Sequence, residues 1–119
     1  MSQLADRSCV PCRGGTLPLR GRAVEGLLAE LGGGWEAPGD ERLKKEFPFR
    51  DFRTALDFVN RVGELAELEK HHPDLHLSWG RVGVEVWTHK IGGLTESDFV
   101  LAAKLDRLEE THARPEELA

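Results

Sequence analysis

The chain has 119 residues and a net charge of -5, which argues against nonspecific binding to nucleic acid or to an acidic membrane. That length holds one domain with a single modest core, and no apolar run approaches the ~20 residues of a membrane span. The N-terminus shows no signal-peptide apolar region, so a cytoplasmic location is expected.

Residues 1–17 read as an arm with little core contribution, 18–112 as the single domain, and 113–119, with Pro115-Glu116-Glu117, as a tail. The arm carries the only cysteines, Cys9 and Cys12, as a CxxC. A zinc ribbon needs four ligands, and a redox pair belongs at a helix start in a βαβ setting. Neither condition is met, so two reduced thiols on a loop are expected, with a metal shared between subunits as the alternative.

Val24, Leu27, Leu28 and Leu31 stand at i, i+3, i+4, i+7 and predict a first helix ended by Gly32-Gly33-Gly34. Trp35-Glu36-Ala37 and the run from Leu43 to Phe49 read as two short strands joined through Pro38-Gly39-Asp40. A second helix follows, with apolar residues at 52, 55, 56, 59, 62 and 66 and Asp51 as N-cap. Pro73 disfavours helical geometry at His72, so this helix should end near His71. His71 would then lie in the last turn, where the helix dipole favours imidazolium and Glu67 sits one turn back, while His72 begins an extended segment. Adjacent histidines that differ in direction and protonation suit an acid/base pair.

From Leu75 to Trp87 apolar and polar residues alternate on both sides of Gly80-Arg81, the pattern of a β-hairpin with a Gly-first turn. With Gly80 and Arg81 as turn residues, Trp79 faces Val82, Leu77 faces Val84 and Leu75 faces Val86, all on one apolar face. Continued outward, this register sets His89 opposite His72, on the face shared with His76, Glu85 and Trp87. Three histidines gathered this way admit an incidental cluster, acid/base chemistry or a metal site. Against metal, no HExxH is present, and neighbours such as His71 and His72 rarely chelate one ion.

Thr95-Glu96-Ser97-Asp98 precedes the apolar run Phe99 to Ala103 and reads as a capping box for a third helix, with the Asp98 carboxylate returning to the Thr95 amide. The order α-β-β-α-β-β-α predicts an α+β fold, a four-stranded antiparallel sheet with three helices packed on one face. Open edge strands in so small a sheet are commonly covered by another subunit.

Glu69-Lys70-His71-His72-Pro73, then Trp79, Thr88-His89, Gly92-Gly93-Leu94-Thr95 and Asp98 resemble the signature of the pterin-4a-carbinolamine dehydratases. The resemblance runs from about Gly34-Trp35 to Leu108 and includes Phe47-Pro48-Phe49-Arg50-Asp51-Phe52. It implies dehydration of a 4a-hydroxytetrahydropterin to the quinonoid dihydropterin in tetrahydropterin recycling, without metal or organic cofactor, by a homodimer or homotetramer. It implies His71, His72 and His89 as catalytic residues, and His72, Thr88 and Asp98 at the substrate. Within that set, His71 and His89 would exchange protons while His72 orients the pterin. Two groups titrating near neutrality suffice for loss of water, and a free imidazole titrates at about 6.5. Leu75 departs from members that carry an aromatic residue two positions after the proline, which bears on how the substrate is contacted. Relatives of this fold also serve as non-catalytic dimerisation or assembly-factor modules, and the three imidazoles weigh toward the enzyme.

Overall fold

The computed structural model describes residues 4–9 and 17–111. Cys12 and residues 112–119 lie outside the described residues, and with them the expectations for the CxxC pair and the tail. The elements in chain order are α1 (Arg22–Leu31), β1 (Leu43–Pro48), α2 (Phe52–Glu69), β2 (Asp74–Ser78), β3 (Arg81–Val86) and α3 (Glu96–Thr111). Short 3-10 helices stand at Leu4–Asp6 and Pro38–Asp40. No helix among the described residues is long and apolar enough to cross a membrane.

The α+β class is as expected, but the sheet has three antiparallel strands in the order β1-β3-β2, not four. The segment that fails to form a strand is Trp35-Glu36-Ala37. Glu36 exchanges both backbone hydrogen bonds with Lys44, at 2.9 and 2.8 Å, and the pairing goes no further. The next hydrogen-bonded pairs of such a ladder would need positions 34 and 38. Gly34 has φ 84°, outside extended geometry, and Pro38, without an amide hydrogen, opens a 3-10 helix. Trp35 enters the core instead, its ring edge-on to Phe47 at 6.0 Å and its indole N–H donating to Asp106 at 2.9 Å.

Helix α1 forms where its spacing predicts, with Val24 and Leu31 buried, and it packs on α3. Helices α2 and α3 lie against the sheet face that carries Leu43, Phe47, Val82, Val84 and Val86, and these residues share one core with Phe58, Val62, Phe99 and Leu105. On α2 the buried face is Ala55, Phe58, Val62 and Ala66. Phe52 and Leu56, expected on the inner stripe, are 44% and 38% exposed. The helix is rotated so that Phe58 sits mid-face, its ring 5.0 Å from Phe47 and 5.1 Å from Phe49. The expectation of an N-terminal arm with little core contribution is corrected at Leu4 and Ala5, which are 0% and 6% exposed in that same core.

Asp51 caps α2 as expected: its Oδ1 accepts from the Thr54 amide at 2.8 Å and from the Thr54 hydroxyl at 2.6 Å. These two bonds from Thr54 hold the Asp51 carboxyl below its ordinary range. A depressed folded-state pKa stabilises the fold above the unfolded carboxylate's pKa, and the contribution is lost as pH falls through the folded value. Asp51→Ala is therefore expected to lower the melting temperature by a few degrees at neutral pH, with the gap to wild type closing as the solution is acidified below the ordinary carboxylate range. Parallel thermal melts across that pH series check both parts.

The hairpin is present, two residues out of the expected register. Ser78 pairs with Arg81, Leu77 with Val82 and Leu75 with Val84, so Trp79 and Gly80 make the turn. An even shift keeps each side chain on its face, which is why the inward set of Leu75, Leu77, Val82, Val84 and Val86 survives the correction. Trp79 moves from the expected apolar face to the turn and is 73% exposed. Gly80 supplies the positive φ, 72°, at the second turn position, and its carbonyl accepts from the Phe49 amide at 2.8 Å, tying the turn to the end of β1.

Candidate active site

The last residue of α2 is Glu69, and Lys70 follows in the left-handed region with φ 56°. His71 thus stands just beyond the helix rather than in its last turn. The reversal at Lys70, followed by the extended geometry that Pro73 favours at His72, separates the two neighbours. The His71 side chain points inward and is 14% exposed, whereas that of His72 is 59% exposed.

Their carboxylate partners differ from the expected ones. Glu67 reaches His72, with Oε2 2.6 Å from Nε2, not His71. His71 instead meets Asp98, its Nε2 2.5 Å from Oδ1. Asp98 is completely buried, and its other oxygen, Oδ2, accepts from the Thr95 amide and the Thr88 hydroxyl, both at 2.8 Å. The expected helix cap is therefore present, and the same carboxylate grips the histidine. Three partners compensate a charge that would otherwise be costly to bury.

Thr88 and His89 follow β3. Alternation persists past the end of the strand, so Val86 and Thr88 are buried while His89 is exposed. The Thr88 amide donates to the Gly93 carbonyl at 2.8 Å, and the Thr88 and Thr95 hydroxyls lie 3.0 Å apart. The Thr88 hydroxyl is thus engaged with Asp98 and Thr95 inside the protein. Thr88→Val is expected to cost about 1–3 kcal/mol, because a buried carboxylate oxygen loses a donor, and urea unfolding measures it.

The His89 ring rests against Trp87, centroids 4.3 Å apart. Trp87 is in turn covered by the Arg42 guanidinium at 5.1 Å, which Glu85 binds at 2.7 Å. Arg42's hydrogen bond to the Glu85 carboxylate is the main cause that holds this carboxyl below its ordinary range. The expected cross-strand pairing of His72 with His89 does not form: β2 begins at Asp74, β3 ends at Val86, and in the observed register the position facing His72 would be Trp87. Among the described residues no group of three or more His, Cys, Asp or Glu side chains is arranged to hold a metal ion.

The structure therefore joins His71, Asp98 and Thr88 in one hydrogen-bonded chain, with Thr95 completing it. His72 and His89 stand outside that chain, each with its own partner. Sequence reasoning missed Arg42 and the Glu67 to His72 contact. The only trace of the first is its place before β1, where Leu43 pairs with Val86 next to Trp87.

A protein-family model described as pterin 4 alpha carbinolamine dehydratase matches residues 18–108. A Rubrobacter xylanophilus protein named "Putative pterin-4-alpha-carbinolamine dehydratase" is 59% identical over 91% of this chain and 100% of its own length. A Rickettsia bellii protein of the same name is 50% identical over 89% of this chain and 94% of its own. Among solved structures, a transcriptional coactivator/pterin dehydratase from Brucella melitensis is 33% identical, covering 76% of this chain and 97% of that one, with a TM-score of 0.71. A pterin dehydratase-like protein identified as a RuBisCO assembly factor, at 21% identity over 66% of this chain and 92% of that one, has a TM-score of 0.56 and shares the fold. The chain belongs to the pterin 4 alpha carbinolamine dehydratase family.

Proposed function

We propose that this chain is a cytoplasmic hydro-lyase that takes water from a 4a-hydroxytetrahydropterin and releases the quinonoid dihydropterin, in tetrahydropterin recycling. The observation that carries the reading is the His71 to Asp98 contact, a largely buried imidazole backed by a fully buried carboxylate. In the reaction the C4a–O bond breaks as the departing hydroxyl gains a proton and leaves as water, while a ring nitrogen gives up a proton. With Nε2 committed to Asp98, the Nδ1 of His71 is the atom that takes the ring proton, and the carboxylate stabilises the imidazolium that results. His89, exposed and steadied by Trp87, supplies the proton to the leaving hydroxyl. His72, held by Glu67, orients the pterin, and Thr88 and Asp98 act through His71. General acid/base catalysis of this kind contributes typically ~10²- to 10⁴-fold.

A homodimer or homotetramer is part of the proposal. It is supported by exposed Phe52 and Leu56 one turn apart on α2, and by the edge of β2, which pairs on one side only among the described residues. A second reading, a non-catalytic dimerisation or assembly module, has in its favour that the Brucella protein is named a transcriptional coactivator as well as a pterin dehydratase. A stopped assay of 4a-hydroxypterin dehydration on the purified chain separates the two. Acceleration over the spontaneous reaction supports the enzyme, and its absence selects the binding module.

A further inference from the structure

The N-terminal segment Leu4 to Cys9 crosses α3 and ends behind the His71 and Asp98 pair. Leu4 and Ala5 are buried in the core, and Lys104 of α3 donates to the Ala5 carbonyl at 3.0 Å. Asp6 pairs with Arg107 at 2.9 Å and Arg7 with Glu96 at 2.9 Å, so the segment is fixed along the length of the helix. At its end Cys9 touches two elements at once. Its amide donates to Glu69 Oε1 at 3.0 Å, and its thiol lies 3.6 Å from the Ser97 carbonyl. Glu69 is the last residue of α2, two before His71, and Ser97 is one before Asp98. Lys104 approaches the second Glu69 oxygen at 3.6 Å.

We propose that this segment is a positioning strap, in which Cys9 and Glu69 hold the end of α2 against the start of α3 at the separation the His71 to Asp98 hydrogen bond requires. The proposal rests on the dehydratase reading for its catalytic consequence, but the geometry it describes does not. Burial, then the nearby Glu69 charge, pushes the Cys9 thiol up to about 12, so the thiol is protonated at neutral pH and donates to Ser97. The Cys9 amide is the main cause that depresses the Glu69 carboxyl, keeping it an anionic acceptor for that amide and for Lys104. A general acid or base displaced by about 1 Å can lose about 10²-fold in rate, so a contact that touches no substrate can still govern turnover.

The test is Glu69→Ala in the full-length chain, alone and combined with Asp98→Asn, read by dehydration kinetics and by the proton resonance of the His71 ring N–H that faces Asp98. The expected result is a kcat lower by about ten- to a hundredfold with little change in KM, and a shifted or exchange-broadened His71 resonance. In the Asp98→Asn background the same substitution should add less than about twofold, because the contact it positions is already broken. Glu69→Gln, which keeps an acceptor oxygen for the Cys9 amide, should recover most of the rate. Should Glu69→Ala fail to fold, Cys9→Ala, which keeps the amide bond and removes only the thiol contact, is expected to move the same resonance by less. A folded Glu69→Ala, or in its place a folded Cys9→Ala, with wild-type kcat and an unmoved resonance overturns the proposal, as does full additivity with Asp98→Asn. If wild type shows no dehydration at all, the resonance alone decides for or against the strap, and the failure belongs to the dehydratase reading.

Discussion

Asp98→Asn is expected to slow dehydration by about 10²- to 10⁴-fold while the chain remains folded. Asparagine preserves the volume at a fully buried position, and its carbonyl can accept from the Thr95 amide and the Thr88 hydroxyl as Oδ2 does now. What changes is the group facing His71 Nε2, which becomes an N–H donor where a carboxylate oxygen had been. His71 must then turn Nε2 into an acceptor and carry its hydrogen on Nδ1, the nitrogen assigned to take the substrate proton. The imidazole is present and in place but in the wrong tautomer. Stopped-flow rates and urea unfolding on the same preparation check the two halves of the prediction. A folded variant with an unaltered kcat would reduce Asp98 to a helix cap.

Phe58→Ala carries the largest expected loss of stability, about 3–5 kcal/mol. The residue is fully buried at the middle of the α2 face, between the rings of Phe47 and Phe49, where truncation leaves a cavity that β1 and α2 cannot close without losing their contact with each other. Against a total of about 5–15 kcal/mol for a domain, that loss is a large share of the stability. The shift of the urea midpoint at an unchanged slope measures it. A loss below about 1 kcal/mol would mean that the aromatic cluster does not anchor the helix.

The parts of the fold that were legible in the sequence rest on short-range chemistry. The stripe Val24, Leu27, Leu28, Leu31 and the cap at Asp51 announce two helices because spacing and capping are local properties. The Asp98 return to the Thr95 amide is local in the same way. The hairpin was legible to its parity but not its register, since a two-residue slip leaves all the apolar side chains inward. What decided between the two registers was Gly80 with its positive φ and its anchor to Phe49, a contact between segments about thirty residues apart. The strand expected at Trp35 to Ala37 failed for a reason visible in the sequence, Gly34 and Pro38 on either side, once the partner Lys44 is known.

The site divides along the same line. His71, Asp98 and Thr88 were each singled out, yet their union depends on how α2, α3 and β3 pack, and periodicity does not report that. The expected i, i+4 contact between Glu67 and His71 assumed a helix running two residues further than it does. With Lys70 left-handed, the carboxylate faces His72 instead. Arg42 lies over Trp87, which the His89 ring contacts, and the burial of Leu4 brings the N-terminal segment to the back of the site. Both are contacts across long sequence separations.

The central claim, that His71 and His89 exchange protons with the substrate, is tested most directly by the turnover of the single His71→Ala and His89→Ala enzymes in 4a-hydroxypterin dehydration. Each is predicted to lose at least about 10² in kcat relative to wild type. Unchanged turnover in both folded variants would contradict the account.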